Sequence, residues 1–172
     1  MPSELAYALL GLAQAVALIS AAVFFIRWFY LAHRNLGSIS VRPATYDSRW
    51  AIWGFFIPIL NLLRPQQVMR EVWTTTSEKW LEEPSQVVGL THPSDFVNLW
   101  WGFFVATSIL GNWASRAELR AVTAQETLWA TWGSAFANGF DIAAVFAALA
   151  LIHGATELQR PLLRHVVAAP AA

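Results

Sequence analysis

The stretch Leu5–Ile26, LAYALLGLAQAVALISAAVFFI, runs 22 residues without a charge between Glu4 and Arg27. As a helix rising about 1.5 Å per residue it is about 33 Å long, enough to cross the hydrocarbon core of a bilayer. Two further stretches repeat the pattern. Phe96–Ser115 is uncharged between Asp95 and Arg116, and Thr127–Thr156 holds Asp141 as its only charge. The reading is therefore all-α: an integral membrane helical bundle with three full transmembrane helices, over about residues 5–31, 96–115 and 129–154. Met1-Pro2-Ser3-Glu4 lacks the basic start of a cleaved leader, so the first span is expected to be retained.

Composition agrees. The 172 residues are 56% hydrophobic and 13% charged, with a mean hydropathy of +0.44, against about 45–50% and about 25% in soluble domains. Ten tryptophans suit the two headgroup levels, where an apolar ring with one N–H is at home. Lys and Arg number 11 against 11 Asp and Glu, so no basic field is present to hold nucleic acid. With no cysteine, disulfides, thiolate catalysis and Cys-based metal sites are excluded.

Trp50–Leu63 is apolar but short, about 21 Å as a helix, and Pro58 removes an internal hydrogen bond. It reads as a short Pro-broken re-entrant segment or a kinked fourth span (50–63). Counting Lys and Arg near span ends separates the two. A crossing segment splits them six against five. A re-entrant one leaves nine on one side, with only Arg116 and Arg120 opposite. The re-entrant reading follows, with the N-terminus outside and the C-terminus cytoplasmic, in a multi-pass protein of the bacterial inner membrane. Pro65 then opens a helix over 65–82, with Met69, Val72, Trp73, Thr76 and Trp80 on one face and Arg70, Glu71, Glu78, Lys79 and Glu82 elsewhere. This is expected to be a cytoplasmic interfacial amphipathic helix. Residues 83–93 read as loop and 157–172 as a C-terminal tail.

Ala32-His33-Arg34-Asn35-Leu36, followed by Trp50–Trp73 (WAIWGFFIPILNLLRPQQVMREVW), resembles a bacterial membrane family known only as domain of unknown function 4328. The resemblance lies in an Arg-Asn pair after the first hydrophobic helix and then in the order and spacing of Trp50, Trp53, Ile57, Pro58, Asn61, Leu62, Pro65, Gln67, Glu71 and Trp73. Members often carry Tyr directly after the second proline, where this chain has Gln66. Beyond about residue 80 the similarity is one of hydrophobicity. It implies location and architecture and brings no activity.

Asp141 is the sharpest single residue, since a carboxylate deep in a span must be neutral, paired or wet. At its expected depth Ser20, Thr107 or Ser108 could hydrogen-bond it. His33 and His153 fall near one level on two spans, an arrangement that holds haem iron, so haem or a chlorophyll-type pigment is the alternative to no cofactor at all. No histidines stand at local zinc spacing, and no metal is expected. Small residues recur every four positions as Ala13, Ala17 and Ala21 and as Ala135, Gly139, Ala143 and Ala147, which predicts packing of the first span on the last.

Nucleotide loops, nucleophile elbows and metalloprotease pairs are missing, so the chain does not read as an enzyme. The expected role is a non-catalytic accessory or scaffold subunit of a larger membrane complex, such as a respiratory or photosynthetic one. Its partners would be the lipid bilayer and other membrane subunits. The alternative is a small transporter, channel or proton conductor using Asp141 and the break at Pro58 and Asn61. A haem or pigment carrier is the third reading.

Overall fold

A computed structural model describes residues 2–40, 43–82 and 93–168, and every regular element in them is helical. The three uncharged stretches become the three long helices α1 (Pro2–Arg34), α5 (Pro93–Arg120) and α6 (Ala124–Ala168). Between α1 and α5 lie α2 (Leu36–Ile39), α3 (Trp50–Trp53), a 3-10 turn (Leu60–Leu62) and α4 (Arg64–Glu82). Two stretches, Glu4–Ile39 and Ala124–Arg164, are long and apolar enough to cross a membrane. Helix α5 covers the third expected span, but Asn98, Thr107, Ser108 and Asn112 make it more polar than these two. Of the expected loop over 83–93, residues 83–92 lie outside the described residues and Pro93 opens α5 instead; the chain beyond 168 is also outside them.

Helices α5 and α6 form an antiparallel hairpin, the most extensive pairing in the fold. Its turn is set by a capping box. Glu126 Oε2 accepts the amides of Val122 (2.9 Å) and Thr123 (3.0 Å), and Thr123 Oγ1 accepts the amide of Glu126. These bonds hold the exposed Glu126 carboxyl below its ordinary range. At 45 residues, α6 is about 67 Å long, twice the thickness of a hydrocarbon core. The expected tail is therefore corrected: from 157 to Ala168 the chain continues α6, straight through Pro161. Pro161 lacks the N–H that would reach the Glu157 carbonyl, and the buried Leu151, Ala155 and Gln159 anchor the helix on the turns before it.

The core lies at one end of the molecule. There Phe29, Leu36, Val68, Met69, Val72 and Leu151 are fully or almost fully buried between α1, α2, α4 and α6, each contributing about 1.5–3 kcal/mol when taken from water. Trp73 stacks on Phe96 with centroids 6.0 Å apart and planes 3° apart, and Phe25 and Phe29 meet Phe55 edge-on. Helix α4 forms over the predicted residues, but the interfacial reading is corrected: Val68, Met69, Val72, Trp73 and Thr76 are covered by the protein's own helices. Trp50–Leu63 contains no continuous helix beyond the four residues of α3, so the kinked fourth span is corrected as well. Instead the chain turns back at Pro58 and Ile59, whose φ of 70° is unusual for a β-branched residue.

Outside this core, α1 stands bare. Every residue from Glu4 to Phe24 is exposed, Leu5, Tyr7, Leu10 and Phe24 by 64–75%. The predicted packing of small-residue stripes is thus corrected. Ala13, Ala17, Ala21, Ala135 and Gly139 are exposed, Ala143 and Ala147 are half-buried, and a Cβ on Gly139 would meet nothing within 4 Å. The reason is geometric: four residues advance a helix by about 400°, so a four-residue stripe drifts about 40° per step off any fixed contact line. The close approaches lie elsewhere. A Cβ on Gly154 would come within 2.8 Å of the buried Trp73 ring, and one on Gly133 within 2.8 Å of Trp113.

Candidate functional site

The buried polar groups converge where α1 ends. His33, 1% exposed, directs Nε2 at Glu71 Oε2 (3.0 Å) and Nδ1 at Ser48 Oγ (2.9 Å). Glu71 also accepts the amides of Thr45 and Tyr46, so one carboxylate ties α1, α4 and the segment leading into α3 together. Burial pushes the Glu71 carboxyl up, but the hydrogen bonds from His33, Thr45 and Tyr46 outweigh it and hold it below the ordinary glutamate range. An ionised carboxylate can only accept, so His33 Nε2 carries the proton. In the neutral ring Nδ1 then accepts from the Ser48 hydroxyl.

Hydroxyl, imidazole and carboxylate in line are the parts of a nucleophilic relay. Five of the neighbouring amides are bonded within the segment or to Glu71. Those of Thr45 and Tyr46 go to Glu71, those of Arg49 and Trp50 to Asp47, and that of Ala51 to the Ser48 carbonyl. The bonds of Glu71 and His33 make the group a clasp between α1, α4 and the segment before α3.

A second network joins α1 to α6. Gln159, 4% exposed, donates to the Ala32 carbonyl (2.9 Å) and toward Thr76 Oγ1 (3.4 Å), and accepts from Asn35 Nδ2 (3.2 Å). One turn away, Trp28 Nε1 donates to Thr156 Oγ1 at 3.1 Å. Trp28, Leu31, Ala32, Asn35, Thr156, Gln159, Arg160 and Leu163 line a groove of about 310 Å³ along this seam, apolar along its length with Arg160 on its rim.

The Trp50–Trp73 residues singled out in the sequence divide between the clasp with the core behind it and the turn-back. Arg64 lies over the Tyr46 and Trp50 rings, 5.1 and 5.2 Å from their centroids, and donates to Gln67. Pro65 is buried and Glu71 is the hub. Trp73 is buried, but its Nε1 has no hydrogen-bond partner, like the hydroxyl of Ser77. Trp53, Pro58 and Asn61 line the turn-back, where Asn61 N donates to the Ile57 carbonyl.

The polar group expected around Asp141 does not assemble. Asp141 is exposed on α6, Ser20 is exposed on α1, and the hydroxyls of Thr107 and Ser108 both donate to the Phe104 carbonyl of their own helix. Nor do the two histidines form a ligand pair. Both nitrogens of His33 are occupied by Ser48 and Glu71, and His153 is exposed on α6. No group of three metal-ligating side chains occurs among the described residues. Sequence reasoning missed Ser48, Asn35 as a bonding group, Thr156 and Gln159. One usable signal was Glu71 bordering the apolar face of α4, beside Val72.

A family model described as a domain of unknown function, DUF4328, matches residues 2–157. No curated protein and no solved structure matches the chain.

Proposed function

The chain belongs to the DUF4328 family, whose function is unknown, and from that premise we propose that it is a non-catalytic accessory or scaffold subunit of a larger membrane complex. The bare half of α1 carries this reading. Residues Glu4–Phe24 are almost wholly apolar and all exposed, which suits a helix made to be covered by lipid and by neighbouring subunits.

In this reading α1, α5 and α6 cross the bilayer, and the turn-back at Pro58 dips into one face. The N-terminus is outside and the C-terminus lies in the bacterial cytoplasm. The charge distribution supports it. Arg27, Arg34, Arg49, Arg64, Arg70, Arg160 and Arg164 belong to the clasp end, whereas Arg116 and Arg120 flank the α5–α6 turn opposite. The transport alternative draws less support, because Asp141 stands on the outer surface of α6 rather than between helices.

The test is carbonate washing of native membranes, then mild detergent purification with mass spectrometry of co-purifying chains. The expected result is retention in the membrane and a defined set of partner subunits. A carbonate-soluble protein, or a lone species that conducts ions in liposomes, would overturn the reading.

A further inference from the structure

Asp141 and Gln14 lie equally far along the two longest helices from one shared contact. Both α1 and α6 run toward the clasp, where the Trp28–Thr156 hydrogen bond marks a common level. From that level Gln14 is about 21 Å back along α1 and Asp141 about 22 Å back along α6, at about 1.5 Å per residue. At about 100° per residue, Gln14 points within about 40° of the Trp28 direction and Asp141 within about 60° of the Thr156 direction. Ser20, by contrast, is only about 12 Å from Trp28. Both Gln14 and Asp141 are exposed.

We propose that α1 of a second copy of this chain lies against the bare face of α6, with its Gln14 carboxamide hydrogen-bonded to Asp141. This rests on the membrane reading above. A carboxamide offers both donor and acceptor, so it complements a carboxyl group in either protonation state, and an acid at this depth needs such a partner. The chain's own α1 does not supply it. Phe25 and Phe29 are fixed against Phe55 and, for Phe25, Trp100. Helix α1 leaves that packing as one unbroken helix, and Asn138, Ile142, Val145 and Leu149 of α6 stay exposed rather than covered by it. A two-fold axis along the membrane normal preserves depth, so each copy's Gln14 meets the other's Asp141 and the contact closes.

The chain has no cysteine, which permits a clean test. Two differently tagged full-length chains, one carrying Q14C and the other D141C, are co-expressed and oxidised in the membrane. The expected product is a disulfide-linked dimer bearing both tags. An L149C control, about 12 Å nearer the clasp than position 141, should give none with Q14C. Cysteine-free Q14L and D141L chains should each lose the dimer in mild detergent, while D141N keeps it. Three outcomes would overturn the proposal: no link between the two tagged chains, equal linking at 141 and 149, or a link confined to a single chain carrying both cysteines. If the chain stays in carbonate-washed membranes without the 14–141 link, the dimer alone fails. If it washes out, the membrane reading fails with it.

Discussion

Glu71 reaches from α4 to His33 on α1, its Oε2 3.0 Å from Nε2, and it does so while accepting two backbone amides from the segment before α3. One side chain thereby fixes the relative position of three pieces of chain that have no regular ladder between them.

Glu71→Gln keeps the shape and removes the charge, leaving His33 and two amides poorly served. A loss of about 2 kcal/mol is expected, read as a fall in Tm in detergent. The same residue sets an acid limit. Its carboxyl is held below the ordinary glutamate value of 4.5, so the unfolded chain binds the proton first and acid favours unfolding. Stability should hold down to about pH 5 and then fall through and below 4.5. In Glu71→Gln that limb should flatten; an unchanged acid profile would remove Glu71 from this role.

Gly154→Ala places a methyl 2.8 Å from the Trp73 ring, which is buried and stacked on Phe96 and has nowhere to go. The expected cost is about 1–3 kcal/mol. Gly139→Ala meets open space and should leave the thermal midpoint unchanged or slightly raised. Equal behaviour of the two variants would contradict this packing.

Gln159→Leu removes three hydrogen bonds in a buried seam and strands the Ala32 carbonyl. About 2 kcal/mol should be lost, and limited proteolysis should then cut near the α1–α2 junction faster than in the unaltered protein.

Ser77→Ala deletes a buried hydroxyl that has no hydrogen-bond partner. It should be neutral or stabilising by up to about 1 kcal/mol, measured by the same thermal melts.

The sequence was legible where a single physical quantity decides. Uncharged length predicted α1, α5 and α6, and Pro65 marked the start of α4. It was illegible where the answer depends on what covers a face. The apolar side of α4 has the same periodicity whether lipid or protein lies against it, so only the fold shows Met69 and Val72 inside. Stripes at a spacing of four looked like contacts because they are easy to see, whereas the glycines that allow close approach, Gly133 and Gly154, belong to no stripe. The His33–Glu71 pair spans 38 residues, and no local spacing announces it. The tail expected from residue 157 is helix instead, since the buried Ala155 and Gln159 carry α6 past the point where its apolar stretch ends.

The seam between α1 and α6 also has a consequence in time. Trp28 meets Thr156, and the Ala32 carbonyl meets Gln159, across 128 and 127 residues of chain. At ribosomal speeds of about 5–20 residues per second, roughly ten seconds separate the appearance of the two halves. Throughout that interval the exit of the first helix must be served by water, and the molecule locks only when its last helix arrives.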